Sequence, residues 1–296
     1  MAQTGPDAGG ADCRDRPPVS FELFPPRTDA AALALGRTID KLAEAHPAFI
    51  SVTFGAGGSS RDRSLTVLRY MLEHTDVEPM AHLTCVGSSH AEANRLVREF
   101  LDAGITSFLA LRGDPPDGAD PDAGIRDLDS AAELVQLIHR VQEEREPFAQ
   151  VGIPGLPGVT QIRERPRPER VAVAAFPTGH PRSRGPAQDV DTLLAKEIAG
   201  ANLAITQLFW RAHDYLGFVQ PPAELEIDLE IEPDPEAQAE LGIAFAARLA
   251  ADVLDGGAPG LHLYTFNRHE VVLDVLDRID LGTNDRLVNE RNTTER

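Results

Sequence analysis

Cysteine is nearly missing from the 296-residue sequence, and the two present, Cys13 and Cys85, lie far apart. So few thiols exclude a disulfide framework and point to a cytoplasmic setting. Basic side chains are scarce too: 28 Lys and Arg face 47 Asp and Glu, a net charge of −19. Nucleic acid and anionic lipid are bound chiefly through Lys and Arg, so this balance excludes both as partners. No apolar run approaches the ~18 residues that a membrane span requires. The opening stretch, MAQTGPDAGGADCRDRPP, lacks the apolar segment of a signal peptide. Its Gly, Ala, Asp and Pro follow no period and predict a flexible tail over 1–17.

What the sequence does hold is 42% hydrophobic residues, enough for a large core. Seven β-rich runs stand out: VSFELFP (19–25), FISVTFG (49–55), MAHLTC (80–85), SFLALRG (107–113), VAVAAFP (171–177), AITQLFW (204–210) and GLHLYTF (260–266). Amphipathic helical stretches separate them, with Gly or Pro at most joints. Strict alternation predicts right-handed crossovers and a parallel sheet. At this length it favours a (β/α)8 TIM barrel, one domain over 18–282, with a C-terminal tail over 283–296. An open doubly wound sheet is the competing architecture. A barrel needs eight strands, and the eighth candidate is ELEIDLEIE (224–232), where Leu225, Ile227, Leu229 and Ile231 alternate. Residues 143–170, rich in Pro, Gly and Arg, predict an insertion containing a short hairpin. Residues 224–240 carry eight carboxylates and no basic side chain, the mark of a solvated surface.

Side chains alternate along a strand, so each run splits into two faces. Val19, Phe21 and Leu23 form an apolar face that suits helices, which turns Glu22 into the barrel. A carboxylate there is costly without partners and marks a functional position. The competing reading is a strand-end Glu that reaches water or pairs with a structural Arg. By the same parity Thr53 and His82 face inward, Arg112-Gly113-Asp114 ends the fourth run, and Gln207 lies in the sixth. His82 has the alternative of a satisfied core histidine. Together these residues gather at the C-terminal strand ends, where barrel active sites are built.

The chemistry is narrowed by what is missing. No H-x-x-x-H or Cys cluster serves a metal, so no metal site is expected. No G-x-S-x-G elbow, P-loop or G-x-G-x-x-G follows a strand. Lys196 sits in a helical pattern, which disfavours a Schiff base. A carboxylate, a histidine, an amide and an arginine suit proton transfer and cofactor positioning.

The strand-end motifs are Phe21-Glu22-Leu23-Phe24-Pro25-Pro26, Val52-Thr53-Phe54-Gly55, Ala81-His82-Leu83-Thr84-Cys85 and Leu111-Arg112-Gly113-Asp114. Three more follow: Ala174-Ala175-Phe176-Pro177-Thr178-Gly179-His180-Pro181, Ala201-Asn202-Leu203-Ala204-Ile205-Thr206-Gln207 and Leu263-Tyr264-Thr265-Phe266-Asn267-Arg268. Over residues 19–279 and in this order they resemble the methylenetetrahydrofolate reductase family of one-carbon metabolism and methionine biosynthesis. The resemblance implies a barrel that passes hydride from NAD(P)H, with NADH favoured, through FAD to 5,10-methylenetetrahydrofolate. It implies Glu22 as general acid and Asp114 as a catalytic contact to flavin and pterin. Thr53, His82, Arg112, Gly113, Asp114, Ala174, Phe176, His180, Asp189 and Lys196 would line the cofactor. Gln207, Phe266 and Arg268, with Glu22, would meet the folate or the nicotinamide. Bland alternatives are a helix cap for Asp189 and a solvated helix charge for Lys196.

Departures from the family pattern cluster in three places. Phe176 stands where the family has Tyr. The aromatic-Ala-x-Asp-Leu element over the flavin is replaced by Leu128-Asp129-Ser130-Ala131-Ala132-Glu133-Leu134. The substrate-side helix gives way to the acidic run from Glu224. These changes suit the flavin-independent relatives of the broader family, so direct hydride transfer from NADH is the alternative. A folate- or nucleotide-binding barrel without turnover is the second alternative, and the oligomeric state is left open.

Overall fold

The computed structural model describes residues 17–54, 58–85, 88–113, 128, 130–145, 148–152, 160–164, 170–219, 235–279 and 281. In chain order these form β1 (Val19–Leu23), α1 (Asp29–Ala43), β2 (Phe49–Val52), α2 (Gly58–His74), β3 (Pro79–Thr84), α3 (His90–Asp102), β4 (Ser107–Leu111) and α4 (Ala131–Arg145). There follow β5 (Phe148–Gly152), β6 (Thr160–Glu164), β7 (Val171–Ala175), α5 (Pro186–Ile198), β8 (Leu203–Thr206), α6 (Ala212–Val219), α7 (Pro235–Asp255), β9 (Leu261–Tyr264) and α8 (His269–Arg278).

Local sequence explains the helix starts. Thr28 caps α1 by accepting the Ala31 N–H at 3.2 Å. Ser89 and Glu92 form a reciprocal capping box at the head of α3. The buried stripe Ala93, Leu96, Val97 and Phe100 then repeats at helical spacing and turns α3 onto the sheet.

Seven parallel strands pair in the order β8-β7-β4-β3-β2-β1-β9, and β5 with β6 forms a separate antiparallel hairpin. The ribbon curls into a nearly closed barrel: the Tyr264 hydroxyl, from one edge strand, reaches the side-chain Oε1 of Gln207 beside the other at 3.4 Å. The architecture is that of the (β/α)8 barrel. The candidate eighth strand, 224–232, lies outside the described residues, as do 1–16 of the tail and 282–296. Helix α4 runs to Arg145, so the insertion begins later than position 143. The strands stop one to four residues short of their β-rich runs; Pro25, the left-handed Gly113 (φ +84°) and Pro177 turn the chain out after β1, β4 and β7.

Strand parity sorts the core into two layers. Phe21, Leu23, Ile50, Val52, Leu83, Phe108 and Val173 face the helices and join the main core. Phe49, Met80, Leu109, Ala172 and Ile205 fill the barrel interior as a second cluster. At the N-terminal end Arg170 pairs with Glu78 and stacks 5.6 Å over the Phe49 ring. A second cavity of about 780 Å³, lined by Pro18, Phe49, Arg170, Leu203 and Gly260 among others, opens at these residues.

A candidate active site at the barrel mouth

Glu22 points into the barrel and is 4% exposed, as strand parity requires. Its partners are histidines rather than a structural Arg. The Oε2 atom lies 3.4 Å from His262 Nε2 and 3.8 Å from His82 Nε2. His262 shares an inward face of β9 with Tyr264, and the register sets them beside Ser20 and Glu22 of β1. Ser20 Oγ lies 2.8 Å from His262 Nδ1 and donates to Leu261 O at 3.1 Å. A hydroxyl has one proton to give, so both contacts are satisfied when Nδ1–H of His262 donates to Ser20. His262 Nε2 then faces Glu22 Oε2 at 3.4 Å.

His82 is different. Burial drives it down to about 4 against the pull of Glu22, so it is neutral at physiological pH and its contact with Glu22 is not an ion pair. Its Nε2 is buried with no hydrogen-bond partner among the described residues. Tyr264 is pushed up to about 12, first by burial and then by the neighbouring Glu22 charge.

A cavity of about 1110 Å³ opens over this cluster and brings together Glu22, Thr53, His82, Arg112, Gly113, Ala174, Phe176, His180, Asp189, Lys196 and Gln207. Each was expected at the site, and Tyr264 joins them. Gln207 lies just past the end of β8 rather than within it, its N–H held by Ala175 O at 2.7 Å. Lys196 is buried, not a solvated charge: its ammonium donates to Ala174 O at 2.7 Å and ties α5 to β7. Burial lowers the Lys196 pKa and Asp189 opposes the shift. Asp189 is no cap, since Gly185 occupies that position; its Oδ2 accepts the His180 N–H at 3.4 Å instead. The Phe176 and His180 rings meet edge to face at 4.6 Å. Ser130, Ala131 and Ala132, from the altered element, form part of the wall.

Other expected residues fall elsewhere. Asp114 lies outside the described residues. Phe266 and Arg268 sit on the rim after β9 and do not line the cavity. Phe266 is 68% exposed at φ +50° and stacks on Phe24 at 6.1 Å. The residues missed by the sequence reading are Ser20, His262 and Tyr264. Parity in the GLHLYTF run puts His262 and Tyr264 on one face, which was the available signal.

This geometry defines a (β/α)8 barrel protein with a buried carboxylate–histidine cluster beneath a cavity at its C-terminal mouth. The chain belongs to the methylenetetrahydrofolate reductase family, whose model matches residues 11–233 and 219–280. It is 34% identical over 209 residues to the 5,10-methylenetetrahydrofolate reductase of Pectobacterium carotovorum subsp. carotovorum, covering 70% of this chain and 60% of that protein. It is 35% identical over 200 residues to the Salmonella typhimurium enzyme of the same name, covering 68% and 57%. With Methylenetetrahydrofolate reductase (NADH) 1 of Arabidopsis thaliana it shares 29% identity, covering 88% of this chain and 48% of that one. The matches therefore span less than two thirds of these relatives' length. Among solved structures, an uncharacterized Clostridium thermocellum protein that binds two copies of 5-methyl-5,6,7,8-tetrahydrofolic acid is similar in fold, with a TM-score of 0.52 at 10% identity, covering 90% of this chain and 96% of that one.

Proposed function

We propose that the chain reduces 5,10-methylenetetrahydrofolate to 5-methyltetrahydrofolate with a hydride from NAD(P)H. The observation that carries this reading is the buried Glu22–His262–Ser20 chain beneath the cavity. Reduction of the methylene bridge needs an acid, because the imidazolidine ring opens only when one nitrogen takes a proton as its C–N bond breaks. Glu22 supplies that proton, and the resulting iminium carbon accepts the hydride pair. The proton that Glu22 gives up stays on the folate nitrogen, and solvent entering the mouth supplies the next one, with His262 Nε2, 3.4 Å from Glu22 Oε2 and held by Ser20, as its relay to the carboxylate. His82 stays neutral beside it and offers Nε2 to a ligand.

The far side of the cavity suits a dinucleotide. Arg112, His180 and Lys196 offer cationic or N–H groups to a diphosphate, and Gly113 lets the backbone approach closely. The buried, unpartnered Nε2 of His82 fits a polar edge of a planar ring. FAD bound there would supply a two-electron relay between nicotinamide and folate. The Arabidopsis relative named for NADH supports that nicotinamide donor.

The test is NADH oxidation by the purified protein with and without 5,10-methylenetetrahydrofolate, together with its visible spectrum. Folate-dependent oxidation with a bound-flavin spectrum and ping-pong kinetics is expected. Colourless, active protein with ternary-complex kinetics replaces the relay by direct hydride transfer. Absence of folate-dependent turnover overturns the reductase reading.

A further inference from the structure

Gln207 presents its amide to the mouth in a single orientation. Its Oε1 accepts the backbone N–H of Leu208 at 3.1 Å and the Tyr264 hydroxyl at 3.4 Å. A backbone N–H finds no acceptor on an amide NH2 group, so Leu208 fixes which end of the side chain is oxygen. The two donors together fill both lone pairs of that oxygen. The Nε2 group makes no hydrogen bond among the described residues and keeps two N–H donors at the cavity that Gln207 and Tyr264 both line.

The Gln207 main chain is tied to Ala175 O of β7 at 2.7 Å. The Tyr264 ring packs edge-on against His262 at 6.0 Å. Burial beside Glu22 keeps its hydroxyl protonated up to about pH 12, so it remains a donor throughout the working range.

We infer that Tyr264 is a positioning residue that locks the Gln207 amide as a pure donor, so that the mouth selects a ligand presenting an acceptor at that point. The inference rests on the proposed function and adds its chemistry: the group read is a planar amide or lactam carbonyl. A pterin carbonyl and a nicotinamide carboxamide oxygen share that chemistry. A ligand with a donor in the same place meets two N–H groups and is rejected, because its own donor is left unpaired.

The experiment is a double-mutant cycle on the full chain with Y264F, Q207A and the double variant, reading Kd for NADH and for 5-methyltetrahydrofolate and the steady-state constants. Y264F should raise the Kd of the ligand read by Gln207 about three- to tenfold, with the change falling on KM more than kcat and the pH profile keeping its shape. In the Q207A background Y264F should add nothing. The ligand whose Kd moves tells the two carbonyl sources apart. Should Y264F fail to fold, Q207E takes its place: a carboxylate facing an acceptor should weaken the same ligand more than about tenfold. An unchanged Kd for both ligands in Y264F, an equal change in the Q207A background, or a shifted pH profile overturns the inference alone. Wild-type protein that binds neither ligand overturns both this inference and the proposed function.

Discussion

Inside the mouth, three side chains carry the chemical argument, and each is fixed by a neighbour distant in sequence. Glu22 and Ser20 lie two residues apart on one face of β1, while His262 arrives on β9 more than two hundred residues later. Only the β1–β9 register puts its ring between them. That is why Glu22 was legible in the sequence and His262 was not. A buried carboxylate in a β run stands out by itself, whereas one histidine among aliphatic residues reads as core until its partner strand is known. His82 was equally legible, but its neutral state follows from burial that only the packed barrel provides. This has a measurable consequence. Its pKa lies near 4 in the fold and near 6.5 unfolded, so the unfolded chain binds the extra proton. Stability should therefore fall as pH drops from 6.5 towards 4 and level off below, by on the order of 3 kcal/mol from this group. Urea unfolding of wild type and H82Q across that range should show a steeper acid-dependent loss in wild type, the difference between the curves growing to about that amount. Parallel curves for the two proteins would contradict the assignment.

At the scale of elements, the β-rich runs located the strands but overestimated their length. Phe24, Phe54, Phe176, Phe209 and Phe266 have strand propensity, yet each follows the last paired residue and belongs to a mouth loop. Propensity reflects a side chain's fit to a pleated surface, while strand ends depend on where neighbouring strands stop. Helix starts were more local. Ser89 and Glu92 satisfy the head of α3 without tertiary help, so S89A should cost about 1 kcal/mol. Denaturant titration should show a lower midpoint with an unchanged slope and folate-dependent turnover intact. A loss below ~0.3 kcal/mol would show that packing of Leu96, Val97 and Phe100 alone sets this helix.

Across the whole molecule, alternation of strand and helix disclosed the barrel, and the strand order follows from right-handed crossovers between neighbours. The separate hairpin was readable as an interruption of that rhythm. The net charge of −19 is distributed unevenly. Arg112, His180 and Lys196 line the mouth, while the acidic stretch starting at Glu224 continues into α7, where Glu240 pairs with Arg278 at 2.8 Å. The global charge is therefore a poor guide to the small ligand at the mouth. Of the segment that departs most from the family, 224–240, residues 224–234 lie outside the described residues; Tyr264, the β9 neighbour of Glu22, and Gln207 line the described mouth.

The central claim is that Glu22 delivers the proton that makes the folate reducible. Its most direct test is E22Q, measured as single-turnover reduction of 5,10-methylenetetrahydrofolate alongside the affinity for 5-methyltetrahydrofolate. Glutamine keeps the shape and hydrogen-bonding reach of the side chain but removes the acidic proton. The rate should fall about 10²- to 10³-fold while affinity stays within about threefold. Reduction at the wild-type rate in E22Q would contradict the account.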